Sequence, residues 1–251
     1  MRSNGPALLL PPVIGHRGAA ALAPENTLAG IRLAAEGGVR WVEIDVRLSA
    51  DGVPVLSHDA TLERMAGMNR AVSSLTANEL GRIAVPGAFS GIFATETVPT
   101  LAAALALGRD LRIGVNVELK AGAVRNRALV HAVAGTLEDA RGDGGPTVMV
   151  SSFRFALLRE MRRIAPAQPI GYLMGVPKPG WQQRAREIDA AALICSAQRS
   201  TAADIAALMQ FGRPVACYTV NDVAEARQVF SRGAVSVFSD DPARMLAGLK
   251  T

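Results

Sequence analysis

The sequence predicts an α/β protein built as a (β/α)8, or TIM, barrel, and three observations lead to this prediction. The chain has 251 residues, which is a usual length for an eight-stranded barrel. Hydrophobic residues make up 49% of the chain and charged residues 20%, so a sizeable core can be buried. Short apolar runs alternate with alanine- and leucine-rich runs along most of the chain, which is the pattern of parallel strands joined by helices.

The predicted strands are short runs rich in β-branched and other apolar residues. This composition is typical of parallel strands that are covered by helices on their outer face. The predicted strands are residues 12–16, 40–48, 112–120, 147–152, 169–173, 190–195, 214–220 and 234–239. The predicted helices are residues 26–36, 100–107, 124–139, 155–164, 181–188, 202–210, 223–230 and 242–249.

Two segments interrupt the alternation after the second predicted strand. Residues 49–52, Ser-Ala-Asp-Gly, carry a hairpin signal, and residues 53–57 form a further short extended run. Residues 60–97 have weak periodicity with one short helix signal at residues 77–82, and a stretch of this length in a compact domain is usually functional or a small insertion. We therefore predict a single barrel domain over residues 1–251, with an insertion at about residues 60–97 that caps the barrel mouth.

The charge and the cysteine content limit the classes of partner. The formal net charge of +5 favours anionic partners, but the positive charges are scattered single arginines, so we expect no nucleic-acid binding. Cys195 and Cys217 lack metal-site spacing, and Leu8-Leu9-Leu10 is too short for the core of a signal peptide. No apolar run reaches membrane-spanning length. We expect a soluble cytoplasmic protein without stable membrane insertion, and a homo-oligomer stays open.

Two of the three histidines, His16 and His58, flank a pair of carboxylates, Glu43 and Asp45. Imidazole can both give and take a proton near neutral pH. Carboxylates at positions i and i+2 of a strand point to the same face, where together they suit a divalent cation. Because Arg17 directly follows His16, this grouping indicates phosphate chemistry.

The predicted strands bring these residues to one place, because the functional residues of such barrels lie at the carboxyl ends of the strands. Three carboxylates converging at one mouth would repel each other strongly unless a cation neutralised them. A hard divalent ion, Mg²⁺ or Ca²⁺, suits a set of oxygen ligands. The side chains concerned are His16 and Arg17 after the first strand, Glu43 and Asp45 on the second, and Glu118 and Lys120 on the third.

The basic residues of this mouth suit a small-molecule phosphodiester substrate. Arg17 offers a planar fork for two phosphate oxygens, and Lys120 offers a compact point charge for another. His16 and His58 would act as acid and base in either order, each contributing about 10²–10⁴-fold to the rate. Lys120 could also simply pair with Glu118.

Several of these residues have structural alternatives. The acidic pair on the second strand could form salt bridges with Arg40 or Arg47. Tyr218 and Asn221 could line a substrate pocket, or they could be a barrel-packing tyrosine and a helix N-cap. Asp240 is likewise either a site residue or a cap for the last helix.

Several motifs follow one another along the chain in a characteristic order. They are Gly15-His16-Arg17-Gly18, Pro24-Glu25-Asn26-Thr27, Glu43-Ile44-Asp45-Val46, Asp51-Gly52-Val53-Pro54-Val55, His58-Asp59-Ala60-Thr61-Leu62-Glu63-Arg64, Val98-Pro99-Thr100-Leu101, Val117-Glu118-Leu119-Lys120, Ser151-Ser152-Phe153, Tyr218-Thr219-Val220-Asn221 and Phe238-Ser239-Asp240-Asp241-Pro242. In this order the chain resembles the glycerophosphodiester phosphodiesterase family. The resemblance implies a (β/α)8 barrel with a small insertion after the second strand. It also implies hydrolysis of a glycerophosphodiester to glycerol 3-phosphate and an alcohol, with one divalent metal ion.

The resemblance implies a role for individual residues as well. Carried over by position, His16 and His58 match the family's acid–base pair, Glu43, Asp45 and Glu118 its metal ligands, and Arg17 and Lys120 its phosphate-binding groups. In the family's usual account the glycerol 2-hydroxyl attacks phosphorus and water opens the resulting cyclic phosphate, and direct attack by water stays open here. The family's usual tryptophan near the end of the seventh strand is Tyr218 in this chain, so the preferred alcohol is not determined.

Two other functions are compatible with parts of the sequence. A lysophospholipase D on the same scaffold would need an exposed apolar rim to meet a membrane surface. The apolar residues of the insertion could supply that rim or form the insertion's own core, and we favour the core. A non-catalytic binder of phosphate ligands is disfavoured because it has no use for an acid–base pair. The insertion's apolar residues are Ile83, Val85, Phe89, Ile92 and Phe93.

Overall fold

Eight parallel strands and the helices between them form the body of the molecule. The computed structural model describes residues 8–89, 91–122, 126–142 and 144–250. The strands are β1 (Val13–Gly15), β2 (Trp41–Leu48), β3 (Pro54–Leu56), β4 (Thr61–Leu62), β5 (Met68–Ala71), β6 (Gly114–Leu119), β7 (Val148–Ser152), β8 (Ile170–Leu173), β9 (Ala192–Ser196), β10 (Val215–Tyr218) and β11 (Ser236–Ser239). The helices are α1 (Leu28–Glu36), α2 (Glu63–Ala66), α3 (Ala77–Leu80), α4 (Leu101–Asp110), α5 (Asn126–Asp139), α6 (Phe155–Ile164), α7 (Trp181–Glu187), α8 (Ala202–Gln210), α9 (Val223–Ser231) and α10 (Pro242–Lys250).

The strand pairing closes the sheet into a barrel. Neighbouring strands follow the order β1, β11, β10, β9, β8, β7, β6, β2, and β1 also pairs in parallel with β2 through Gly15 and Val42. The predicted (β/α)8 barrel is therefore confirmed. Among the described residues, no helix is long and apolar enough to cross a membrane.

The predicted strands and helices of the barrel all occur, and most bounds agree within two residues. The predicted start of the third barrel helix, Val124, lies outside the described residues. The largest difference is α4, which was predicted to end at residue 107 and instead continues to Asp110. It runs through Gly108 because the absence of a side chain lets the helix approach β6: a Cβ on Gly108 would lie 3.1 Å from Val115.

Side-chain caps explain where several helices begin. Thr27 accepts a hydrogen bond from the backbone N–H of Gly30 at the start of α1, and Thr100 does the same for α4. Thr201 forms a capping box with Asp204 at the start of α8. Each such cap satisfies a backbone donor that has no partner within the helix.

The apolar core has two parts, one between strands and helices and one inside the barrel. The barrel interior is filled by Ile14, Trp41, Met149, Leu173, Ala192, Ile194, Ala216 and Phe238. Trp41 lies beside Gly114 on the neighbouring strand β6, and a Cβ added to Gly114 would lie 2.3 Å from Trp41 Cε2. The glycine is therefore what makes room for the indole inside the barrel.

Gly114→Ala is expected to lower the free energy of unfolding by about 1–3 kcal/mol, because the new methyl group overpacks a filled core. Urea or thermal denaturation measures the change. Gly135→Ala is the matched control, since Gly135 is exposed in the interior of α5 and has no atom near the added Cβ. Alanine there should stabilise the protein by about 0.5–1 kcal/mol. Equal stability of the Gly114 variant and the unmodified protein would contradict the packing argument.

An insertion follows the extension of β2. Strand β3 pairs antiparallel with β2, as predicted from the hairpin signal, and the short helix predicted at residues 77–82 is α3. The two-stranded sheet of β4 and β5 was not predicted, because strands of two and four residues are too short to show a period. That residues 60–97 act as a cap over the mouth stays a prediction.

The predicted apolar residues of the insertion divide between core and surface. Val85 belongs to a small apolar core of its own, and Ile83 packs against that core. Phe89 and Phe93 contact each other edge to face and are partly buried. Ile92 is 87% exposed. The favoured interpretation, that these residues form the insertion's own core, therefore holds for Ile83 and Val85. It does not hold for Ile92, which faces solvent.

Candidate active site

The carboxyl ends of β1, β2 and β6 bring the predicted acidic and basic side chains together. Residue alternation along β2 and β6 places the acids on the inner face, because side chains two positions apart on a strand share a face. His58 follows β3, which is tied to β2 by the bond from the N–H of Ser57 to the carbonyl of Asp45. The residues at this mouth are His16, Arg17, Glu43, Asp45, His58, Glu118 and Lys120.

Three carboxylates form the centre of the site. Ligand atoms of Glu43, Asp45 and Glu118 all lie within 4.8 Å of one another. Burial, together with the charge of Asp45, raises the pKa of Glu43 to about 8 and also raises the pKa of Glu118. Within the described residues, Glu43 Oε1 is buried and accepts no hydrogen bond. A buried oxygen without a donor, in a cluster of like charges, fits a divalent metal ion, and this acidic cluster could hold one.

Asp45 differs from its two neighbours because cations surround it. Burial opposes its ionisation, but Lys120 and Arg17 outweigh burial and lower the pKa of Asp45. Asn26 fixes the residue from the other side: Asn26 Nδ2 donates to Asp45 Oδ2, and the Asp45 N–H donates to Asn26 Oδ1, both at 2.9 Å. Asn26 itself has a φ of 57°, a left-handed conformation that asparagine tolerates better than most residues.

The two predicted phosphate-binding cations flank the acids. Lys120 Nζ lies 2.9 Å from Glu118 Oε1 and 3.3 Å from Asp45 Oδ1. Arg17 Nη1 lies 3.0 Å from an oxygen of Glu25, and its Nε lies 3.4 Å from Asp45 Oδ2. The predicted alternative that Lys120 pairs with Glu118 is therefore present in the structure, alongside its contact with Asp45.

The other predicted alternative for the acidic pair concerned Arg40 and Arg47. Among the described residues, neither arginine forms an ion pair with Glu43 or Asp45. Arg47 instead donates from Nε and Nη2 to the carbonyl oxygen of His58, at 3.0 and 2.7 Å. Its guanidinium thus holds the backbone of the second histidine.

Each histidine of the mouth donates from Nδ1 to a carboxylate. His16 bonds Asp240 at 2.6 Å, and its Nε2 lies 4.0 Å from Glu43. His58 bonds Asp59 at 2.8 Å. Such a bond fixes the tautomer and leaves Nε2 for proton transfer.

The environments of the two rings shift their pKa values in opposite directions. For His16, burial disfavours the charged ring, but the hydrogen bond to Asp240 and the charge of Glu43 outweigh burial and raise its pKa. For His58, burial and the charge of Arg17 prevail over nearby carboxylates, so its pKa is lowered.

Asn221 and Asp240 form one unit behind His16. Asn221 Nδ2 donates to Asp240 Oδ2 at 2.6 Å, and the Asp240 N–H donates to Asn221 Oδ1 at 2.8 Å. Neither residue caps a helix: Asp222 accepts the capping bond of α9, and Asp241 accepts the bond from the N–H of Arg244 near the start of α10. Both residues therefore support the histidine, and the capping alternatives are wrong.

Tyr218 borders a cavity of about 280 Å³ at the mouth. Its hydroxyl donates to the carbonyl of Met174 at 3.2 Å, and its ring meets Phe153 edge to face at 5.7 Å between centroids. Burial, with the charge of Glu118, raises the pKa of Tyr218 to about 12. The cavity is lined by His16, Glu43, Asn116, Glu118, Phe153, Leu173, Ile194, Tyr218 and Phe238.

A second ring of residues was not predicted to belong to the site. Its members are Glu25, Asn26, Asp59 and Arg64, which hold the first set in place. All four lie in motifs already noted for their order, Pro24-Glu25-Asn26-Thr27 and His58-Asp59 to Arg64. The motifs were thus a signal for these positions, although spacing alone did not indicate their contacts.

The barrel and the arrangement of acids, histidines and cations at its mouth define a class: (β/α)8-barrel hydrolases of phosphoric diesters. Comparison with known proteins narrows the class. A model of the glycerophosphoryl diester phosphodiesterase family matches residues 16–244, and the chain belongs to this family. The resemblance found in the sequence is thereby confirmed.

Individual relatives support the same assignment. The glycerophosphodiester phosphodiesterase of Caldanaerobacter subterraneus subspecies tengcongensis is 32% identical over 69% of this chain and 71% of its own length. A phosphodiesterase of Oleispira antarctica, solved in complex with the product sn-glycerol-3-phosphate, is 30% identical with a TM-score of 0.91 over 96% of this chain and 98% of that one. The glycerophosphodiester phosphodiesterase of Agrobacterium tumefaciens is 26% identical with a TM-score of 0.76, over 95% of this chain and 100% of its own.

Proposed function

We propose that this chain hydrolyses glycerophosphodiesters to glycerol 3-phosphate and an alcohol, using a divalent cation and two histidines. The observation that carries the proposal is the convergence of Glu43, Asp45 and Glu118 within 4.8 Å between a histidine and two cations. The presence of sn-glycerol-3-phosphate as the product in the Oleispira relative supports the substrate class.

The acidic cluster would hold Mg²⁺ or Ca²⁺. Bound there, the ion would stabilise negative charge on the phosphoryl oxygens and lower the charge repulsion among its ligands. The Lys120 ammonium contacts both Asp45 and Glu118. Its charge helps to lower the pKa of Asp45, and it partly offsets the burial that raises the pKa of Glu118.

Arg17 and Lys120 would bind the phosphate diester. The guanidinium can present two N–H groups to two oxygens, and the ammonium a point charge to a third. Both cations are held by buried or half-buried carboxylates, so their positions are set before substrate arrives. Preorganised charge of this kind lowers the barrier because it needs no rearrangement as the reaction proceeds.

His16 and His58 would move the protons of the reaction. Each has its Nδ1–H committed to an aspartate, so Nε2 is the atom that exchanges protons with substrate or water. The nucleophile is either the glycerol 2-hydroxyl or water. A glycerophosphodiester analogue that lacks the 2-hydroxyl distinguishes the two routes, because only direct attack by water would hydrolyse it.

The proposal is tested by release of glycerol 3-phosphate from glycerophosphocholine and glycerophosphoethanolamine in the presence of Mg²⁺, Ca²⁺ or EDTA. We expect turnover with a divalent cation and its loss in EDTA, with recovery when the cation is restored. Turnover that persists unchanged in EDTA would contradict the metal requirement. No turnover with either ion would contradict the substrate class.

A lysophospholipase D activity is a second candidate, favoured by one observation. Ile92 of the insertion is 87% exposed, and such a residue can enter a lipid surface. Release of choline from micellar lysophosphatidylcholine, compared with release from glycerophosphocholine, separates the two substrate classes. The cytoplasmic location also stays a proposal. It is supported by Cys195 and Cys217, whose sulfur atoms lie 3.7 Å apart as free thiols without a disulfide.

A further inference from the structure

We infer that Arg64, on α2 of the insertion, is a positioning residue that sets both a proton-transferring histidine and a phosphate-binding arginine. The inference rests on the proposed function of His58 and Arg17 and adds a role for the insertion, which contributes the side chain that orders both.

Arg64 uses all three guanidinium nitrogens on two carboxylates. Its Nε donates to Asp59 Oδ2 at 2.7 Å. Its Nη2 and Nη1 donate to the two oxygens of Glu25, at 2.7 and 2.8 Å. A planar fork that spans two carboxylates fixes their relative position, which a lysine with its single nitrogen could not do.

One branch of this arrangement leads to His58. Asp59 accepts Arg64 on Oδ2 and the Nδ1–H of His58 on Oδ1, at 2.8 Å. Because the carboxylate is planar, holding one oxygen sets the direction of the other. Arg64 therefore governs the orientation of the imidazole through Asp59.

The other branch leads to Arg17. Glu25 Oε1 accepts from Arg17 Nη1 at 3.0 Å and also from Arg64. Burial alone would raise the pKa of Glu25, but the hydrogen bonds and charges of Arg64 and Arg17 outweigh burial and lower it. With Arg64 in place, the negative charge of Glu25 is therefore shared between two arginines. Without Arg64, Glu25 would pair with Arg17 alone. The stronger pairing would draw the Arg17 guanidinium away from a substrate phosphate.

A purely structural role, anchoring the insertion to the barrel, is the competing interpretation. The Arg64 side chain is 48% exposed, and exposed ion pairs contribute little to stability. The insertion has other attachments. Its apolar core includes Val55 of β3, and the N–H of Ala50 donates to the carbonyl of Leu75. Loss of Arg64 should therefore change catalysis more than folding.

The test compares Arg64→Ala, Arg64→Lys and Arg163→Ala in the assay described above. Arg163 is the matched control, because it also donates twice to one carboxylate, Glu160, on the outer helix α6. We expect Arg64→Ala to lower kcat/KM by about 10- to 100-fold, as small displacements of reacting groups do. Arg64→Lys, which keeps a charge but not the fork, should recover only part of this loss, and Arg163→Ala should retain full activity.

Double variants show whether Arg64 acts on His58 through Asp59 and on Arg17 through Glu25. In an Asp59→Asn background, Arg64→Ala should no longer lower kcat, and in a Glu25→Gln background it should no longer raise KM. Thermal denaturation of each variant establishes that it is folded.

Three outcomes would overturn the inference in a protein that is itself active. One is an Arg64→Ala variant with the kcat and KM of the unmodified protein. Another is full activity in Arg64→Lys, and this variant provides the test if Arg64→Ala does not fold. The third is an effect of Arg64→Ala that is the same in all three backgrounds. Lack of turnover in the unmodified protein would instead refute the proposed function, and the inference with it.

Discussion

His16→Ala is expected to lower kcat by about 10²–10⁴-fold, and His58→Ala by a similar amount, because each removes one partner of the acid–base pair. The double variant should be little worse than the less active single variant, since the effects of groups that act as a unit in one reaction step are not additive. Glycerol 3-phosphate release with saturating cation measures the effect. The loss should lie mainly in kcat, because the phosphate-binding groups Arg17 and Lys120 remain in place.

His131→Ala is the matched control for both substitutions. His131 lies on the surface of α5, where its Nε2 is 3.1 Å from Glu160. Within the described part of the chain, it forms no hydrogen bond or ion pair with the residues of the mouth. Its replacement should leave kcat unchanged. A His16→Ala variant that is folded, as judged by its Tm, and retains wild-type turnover would contradict the catalytic role. It would favour the non-catalytic binder, whose affinity for glycerol 3-phosphate would hardly depend on an acid–base pair.

The barrel could be predicted because its periodic signal is local. Each parallel strand is an apolar run that must be covered by the helix after it, so the alternation appears directly in the sequence. The insertion was less predictable: β4 and β5 hold two and four residues, and their pairing depends on contacts with Val72 and Leu75 rather than on a period of their own. Its existence was visible, but its internal structure was not.

Some residues of the site could also be predicted from the sequence, and others could not. Glu43, Asp45, Glu118 and Lys120 could be placed at one mouth because strand alternation and barrel topology determine which side chains converge. The partner of His16 could not be placed so simply. Asp240 lies 224 positions from His16 in the chain, and only closure of the barrel between β1 and β11 brings the two together.

The sequence did not determine which of two adjacent residues caps the helix that follows β10 or β11. Asn221 and Asp222 are both good N-caps by residue type, as are Asp240 and Asp241. In each pair the second residue caps the following helix. Of the first residues, Asp240 bonds His16 and Asn221 bonds Asp240. A one-residue difference of this kind depends on the backbone path after the strand, which residue type does not determine.

Glu43→Gln is expected to abolish turnover and yet stabilise the metal-free protein, by about 1–3 kcal/mol at pH 7. Burial and the charge of Asp45 raise the pKa of Glu43 from 4.5 to about 8 in the folded state. A carboxyl group whose pKa is raised on folding destabilises the protein as pH increases from the unfolded value toward the folded one. At pH 7 the cost is largely present, and glutamine avoids it while its amide oxygen can still accept the bond from the N–H of Arg17.

A divalent cation should make the unmodified protein more stable than Glu43→Gln, the reverse of the order expected without metal. An ion that binds only the folded state adds about 2.7 kcal/mol of stability at 100 times its Kd, and the unmodified protein should show this as a rise in Tm. Glu43→Gln lacks one charged ligand and should show a much smaller rise. Glu160→Gln, which changes a carboxylate on the outer helix α6, is the matched control and should keep the cation-dependent rise of the unmodified protein.

The reversal separates a metal site from a structural cluster. If the three acids served only the fold, Glu43→Gln would change Tm by the same amount in EDTA and in Mg²⁺ or Ca²⁺. If they hold an ion, the variant is the more stable protein in EDTA and loses that advantage when the ion is present. A cation-dependent rise in Tm that is equal in Glu43→Gln and the unmodified protein would place the ion elsewhere. If the reversal is observed, the repulsion among the three carboxylates is a cost in stability that the chain retains in order to bind a divalent ion.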